Sequence, residues 1–187
     1  MKISPKAGMA VSAAGIILVA LSEGFTSEAV QPLLGDKWTI GFGHTEGVRP
    51  GDEITAKEAL SLLDRDLDQA EWAVNELVRV PLKQHQFDAL VSLVFNIGPG
   101  AFGTSTLLRA LNAHDDKEVQ RQWMRWCYFK GKKNKGLENR RARELAVFLG
   151  KPVVEAGRAV CFGRDLCIDG DVLVQERAQG PDGAQDS

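Results

Sequence analysis

Cysteine is scarce in this 187-residue chain: there are three, too few for a disulfide scaffold and without the paired spacing of a zinc site. Histidine is as sparse, and His44, His85 and His114 are scattered, which argues against a metal enzyme. No metal or other cofactor is expected. Neither sign of charge dominates: 23 lysines and arginines stand against 25 acidic residues, a formal net charge of −2. That balance argues against a dedicated nucleic-acid coat. There is no internal repeat, and with 44% hydrophobic and 26% charged residues neither wholesale disorder nor a fibrous rod is plausible. The length suits one domain with a real core.

The one extended apolar run is short. Lys2 and Lys6 precede an uncharged stretch from Ala7 to Leu21, diluted by alanine, glycine and serine. As a helix it would reach about 22 Å, against a hydrocarbon core of about 30 Å. Three readings stay open: a secretory signal cleaved near Ala20-Leu21-Ser22, a marginal membrane anchor, or the buried first helix of the domain.

Beyond it, Gly35 to Gly51 is glycine-dense with Trp, Thr, Ile and Phe between, which reads as a small β lobe. Thr55 with Glu58 forms a capping box opening a long helix, with Ala59, Leu63, Leu67, Ala70, Val74 and Leu77 on one face. It is expected to run to about Arg79, before Pro81. Gln84 to Ile97 is apolar around most of its circumference and should be a central buried helix. Further helices are expected from Thr104 to Leu111, after Asp115 with its Glu118 partner, and from Leu137 to Leu149. Trp123 and Trp126 should share a core face with Val119. Arg158–Phe162 and Val172–Gln175 could pair around the Gly163 and Asp169-Gly170 turns, ahead of a disordered end. Cys161 could bridge to Cys167, leaving Cys127 a buried thiol, or Cys127 could clamp the tail onto the helices; spacing does not choose.

The residues that suggest chemistry lie at the end of the first helix and in the glycine-rich segment. Glu23 sits at the C-terminus of a hydrophobic helix, where the dipole and apolar neighbours disfavour a charged carboxylate and leave a proton to donate. Asp36, in a hydrated glycine turn, should stay ionised, and Thr39 three residues on offers a hydroxyl for a water. Two carboxylates in contrasting settings beside such a hydroxyl suit hydrolysis of a glycosidic bond.

Four motifs in order carry a resemblance: SEGF, WTIGFGHT, LVSLVFNIGPGAFGTSTLLRALN from Leu90, and GLENRRARE from Gly136. Over roughly Leu21 to Gly150 the chain resembles the phage lysozymes, or endolysins, muramidases of glycoside hydrolase family 24. The resemblance implies an α+β fold, with a small β lobe and a mostly helical lobe, that cleaves the β-1,4 bond between N-acetylmuramic acid and N-acetylglucosamine. It implies Glu23 as the general acid and Thr39 as a water-holding residue. In that family an aspartate follows the glutamate by nine residues, where this chain has Pro32, and the interval to the threonine is one residue longer here. Asp36 is the nearest carboxylate and takes that role in our reading, with Glu28 as the alternative. Such a site would be inverting, with its carboxyl groups roughly 6.5–9.5 Å apart. Phe95, Asn96 and Thr106 match positions lining the family's sugar cleft. A lytic transglycosylase and a non-catalytic wall-binding module are the rival readings.

The expected partner is peptidoglycan, favoured also by the basic stretch from Arg121 through Arg143, with no nucleic acid and a monomeric state. Some endolysins of this kind carry a signal-anchor-release segment. The resemblance thus assigns residues 1–22 to a releasable anchor that later joins the fold, 23–150 to the catalytic domain and 151–187 to an appendage. Residues 7–21 would tether the enzyme to the inner membrane before its release into the periplasm.

Overall fold

The computed structural model describes residues 8–169 apart from 34 and 156. The architecture is α+β, built around helix α4 (Gln84–Ile97), in which eight consecutive residues from Phe87 to Val94 are buried. Around α4 pack α1 (Ala13–Glu23), α3 (Asp68–Leu77) and α8 (Lys135–Phe148). A helix apolar on every side needs neighbours on every side, and here it has them. Gly98, at φ +85°, ends α4, and Pro99 opens the single turn of α5 (Pro99–Gly103).

The long helix expected from Thr55 onward is two helices. Its start is as read: Thr55 Oγ1 accepts the Glu58 N–H at 3.2 Å, and the Glu58 carboxylate accepts the Thr55 N–H at 2.9 Å. The chain then breaks at Leu67 between α2 (Ala56–Asp66) and α3. The Leu67 N–H is shared between the carbonyls of Leu63 and Asp64, so the turn tightens locally. Leu67 is itself fully buried, and the apolar stripe continues through the break.

Helices α6 (Thr106–Asn112) and α7 (Asp116–Trp123) follow, the latter capped by Asp115, which accepts the Glu118 N–H at 3.0 Å. Val119 and Trp123 are buried as expected, whereas Trp126 lies beyond the helix end and only half-buried against the core. A short hairpin, β3 (Tyr128–Phe129) with β4 (Lys132–Lys133), leads into α8.

The β lobe begins earlier than the glycine-rich segment suggests. Strand β1 (Thr26–Val30) pairs antiparallel with β2 (Thr39–Gly41), and residues Asp52–Ile54 flank its other edge through Ala29 N–H to Asp52 O and Ile54 N–H to Ser27 O. His44 ties this lobe to α2: its Nδ1 lies 2.9 Å from the Asp66 carboxylate.

The C-terminal hairpin pairs β5 (Ala159–Phe162) with β6 (Leu166–Asp169) around Gly163–Asp165; the other expected strand, Val172–Gln175, lies outside the described residues. Cys161 and Cys167 face each other across it and are disulfide-bonded, while Cys127 is free and buried. The hairpin is docked on the β lobe. Phe162 meets Phe42 edge-on at 5.2 Å, Asp165 accepts the Ala56 N–H at 2.8 Å at the start of α2, and Gly163 lies against the Phe25 ring. Closing so small a loop contributes about 2 kcal/mol. Replacing Cys161 and Cys167 together by serine should lower stability by about that amount in urea unfolding. An unchanged midpoint would mean that Phe162 and Asp165 hold the hairpin alone.

Candidate active site

Glu23 owes its position to the end of α1. The helix starts at Ser12, whose hydroxyl accepts the Gly15 N–H, and buries Ile17, Leu18, Val19 and Ala20. Gly24, at φ +77°, stops it and turns the chain into β1, a conformation that favours glycine. Glu23 is therefore the last helical residue, held at the junction of the two lobes with a quarter of its side chain exposed.

Its immediate partner is a cation rather than the apolar surroundings expected from sequence. Arg140 Nη1 donates to Glu23 Oε1 at 2.5 Å. One turn along α8, Arg143 donates to the Leu21 carbonyl at 3.4 Å and lies 3.3 Å from the Ser22 hydroxyl, placing a second cation at the C-terminal end of α1. Arg140 is itself fixed from behind. Its Nε bonds Glu144 Oε1 at 3.0 Å and its Nη2 bonds the Ser92 carbonyl on α4 at 3.2 Å. Glu144 is fully buried and gathers Ser92 Oγ at 2.8 Å, Arg141 Nη2 at 2.9 Å and Trp123 Nε1 at 3.3 Å. Burial pushes the Arg141 guanidinium below its ordinary value, and the Glu144 carboxylate opposes that shift.

This network takes part of the basic stretch from Arg121 through Arg143 out of any surface for an anionic polymer. Arg140 and Arg141 are buried ion-pair members. Arg121 pairs with Glu118, and Lys133 and Lys135 both pair with Glu138. The contact of Arg140 with Glu23 is not legible in the sequence; the one local signal is the Arg140–Glu144 spacing of four on a helix.

Thr39 opens β2 opposite Val30, and its hydroxyl donates to the Val30 carbonyl at 3.3 Å, which leaves the oxygen's lone pairs free to accept. Asp36 lies in the loop between β1 and β2. Its backbone N–H donates to Leu33 O at 3.0 Å and its carbonyl accepts from Gln31 Nε2 at 2.7 Å. Its carboxylate is exposed, with no hydrogen-bond partner among the described residues. Glu28 is also exposed, in β1 and bridged to Glu53. Across the helical lobe, Phe95 is half-buried on the last turn of α4, Asn96 beside it is exposed, and Thr106 starts α6. The Thr106 hydroxyl accepts from Arg109 Nη2 at 2.8 Å and borders an open cavity of about 490 Å³ shared with Gln122, Arg125 and Trp126.

The fold thus pairs a small β hairpin with a mostly helical lobe and sets a carboxylate, Glu23, at their junction, an arrangement of the lysozyme class. The phage lysozyme family matches residues 20–144. An endolysin of Acyrthosiphon pisum secondary endosymbiont phage 1 is 42% identical over 144 residues, covering 75% of this chain and 98% of that one. A SAR-endolysin of Escherichia phage Mu is 42% identical over 110 residues, 59% of this chain and 64% of its own. Among solved structures, the muramidase domain of SpmX from Asticaccaulis excentricus superposes with a TM-score of 0.69 at 42% identity, covering 75% of this chain and 98% of that one. The chain belongs to the phage lysozyme family. It is a peptidoglycan-lytic enzyme of the endolysin type.

Proposed function

We propose that this endolysin is an N-acetylmuramidase that hydrolyses the β-1,4 bond between N-acetylmuramic acid and N-acetylglucosamine, with Glu23 as general acid. What supports the reading is the place of Glu23, the last residue of α1 at the junction of the lobes and inside the phage lysozyme match. Arg140 orients it through Oε1, and Oε2 has no partner among the described residues. The free oxygen is the one to protonate the leaving glycosidic oxygen. Asp36, exposed and unpartnered, takes the water's proton, while Thr39 accepts a hydrogen bond from that water. Phe95, Asn96 and Thr106 line the sugar-binding cleft. The likeness to a protein described as a muramidase domain supports this reading.

Residues 7–21 act as a releasable anchor, in keeping with the SAR-endolysin among the relatives. No helix among the described residues is long and apolar enough to cross a membrane, and α1 in the folded chain has 11 residues. Lys2 and Lys6 keep the N-terminus cytoplasmic, and the domain reaches the periplasm of the infected host. While the segment lies in lipid, α1 is missing from the fold and Glu23 is not presented. Once released, the enzyme works as a monomer on peptidoglycan, with residues 23–150 as its catalytic part and 151–187 as its appendage.

Mass spectrometry of digested peptidoglycan tests the chemistry. New reducing ends are expected. Anhydro-muramic ends would assign a lytic transglycosylase, and no products would leave a wall-binding module. In the same assay Asp36→Asn should lower the rate about 100-fold or more and Glu28→Gln should not. The reverse result would move the second carboxylate to Glu28.

A further inference from the structure

Ahead of α1, residues Met9 to Ser12 are not helical, yet their backbone is densely bonded to side chains far away in sequence. The Met9 N–H donates to Asn75 Oδ1, and Asn75 Nδ2 donates back to the Met9 carbonyl, both at 2.9 Å. The Val11 N–H donates to Glu71 Oε1 at 2.7 Å and the Ser12 N–H to Asp88 Oδ1 at 3.0 Å. The Ser12 hydroxyl donates to Asp88 Oδ2 at 2.6 Å, and Gln84 Nε2 donates to the Ala10 carbonyl at 2.8 Å. Glu71 with Asn75 on α3, and Gln84 with Asp88 on α4, are each four residues apart and so share a helix face. Asp88 is buried, and the catalytic mechanism uses none of the four.

We propose that Glu71, Asn75, Gln84 and Asp88 form a polar receptor strip for the backbone of residues 9–12, which draws the anchor out of the bilayer and holds it in the active fold. The proposal rests on the anchor-release reading above. In lipid every backbone group of the segment must be satisfied internally, which only a helix can do. In the folded chain residues 9–12 are unwound, and the strip supplies the partners that the helical turn gave up. These bonds exist in one of the two states only. A contact made in one state alone is what shifts an equilibrium between two.

Ser12 and Gly15 lie on both sides of this balance. They dilute the hydrophobicity of the segment, yet Ser12 bonds Asp88, and a Cβ on Gly15 would stand 2.9 Å from the Asp88 side chain. Changing them alters lipid affinity and docking together. Changing the strip leaves the anchor's hydropathy untouched.

The test uses the full chain, expressed in a Gram-negative host and fractionated into membrane and soluble pools. Glu71→Ala with Asn75→Ala removes three of the bonds and should raise the membrane-to-soluble ratio about tenfold or more, with delayed lysis. Its soluble fraction should keep wild-type specific activity. Thr55→Ala, which removes the α2 cap away from the strip, should leave the ratio unchanged. An equal shift in Thr55→Ala would reduce the effect to general destabilisation and overturn the strip. Wild-type-like partition of the double variant would overturn it too while leaving anchor release standing, whereas a wild-type protein never found in membranes would overturn both. Amide exchange on the released wild type gives an independent check. Met9, Val11 and Ser12 should be protected although they lie outside any helix, and fast exchange there would refute the strip.

Discussion

Glu23→Gln is expected to lower the rate of glycan cleavage by about 10²–10⁴-fold, the usual worth of a positioned general acid. The substitution is nearly isosteric, and the amide oxygen can still accept from Arg140. Arg140 also keeps its bonds to Glu144 and the Ser92 carbonyl, so it is not stranded. Stability should therefore change by only about 1 kcal/mol, because buried Arg140 keeps its Glu144 counterion and its hydrogen bond to residue 23. Reducing-end release and urea unfolding on the same preparation separate the two effects. A variant with full activity would remove Glu23 from the mechanism, and one that is unfolded would show that the clamp is mainly structural.

The position of Glu23 was legible because a helix-end SEGF motif is a local feature, and a glycine after the last helical residue states where the helix stops. Its surroundings were not legible. The sequence around Glu23 is apolar, and the arginine that meets it comes from 117 residues away. Arg140 and Arg141 sit in a run of basic residues that reads as a solvated face. Only the packing of α8 on α4 turns those two inward. The same distinction explains the helices. The Thr55–Glu58 capping box and the Gly98-Pro99 stop are local signals and came out as read. The break at Leu67 has no glycine or proline to announce it, and the apolar stripe runs through it undisturbed. β1 was hidden for a related reason: TSEAV has little alternation of its own and is a strand because β2 and Asp52–Ile54 flank it. The C-terminal hairpin took Leu166–Asp169 as its second strand, the register in which Cys161 meets Cys167.

The largest stability effect should come from Glu144→Ala. Among the described residues Glu144 is the one acidic group in contact with both Arg140 and Arg141, and its carboxylate also takes the Ser92 hydroxyl and the Trp123 indole N–H. Arg141 is fully buried, so without Glu144 its charge would stand in the core with no counterion. Breaking a buried pair from one side typically costs about 3–5 kcal/mol, a large share of the roughly 5–15 kcal/mol that keeps a domain folded. The variant should unfold at markedly lower urea concentration. Replacing Glu144 by Leu together with Arg141→Met should recover most of that loss, because no unpaired charge then remains at the position of Arg141. Activity should not recover to the same extent. Arg140 would still reach Glu23 but would have lost the Nε bond that holds its plane, so the acid would be less well oriented in a domain that is folded again. The signature is thus a split: a midpoint close to wild type with a kcat below it. Full recovery of both would show that Glu23 and the Ser92 carbonyl suffice to place Arg140, and that Glu144 serves the fold alone.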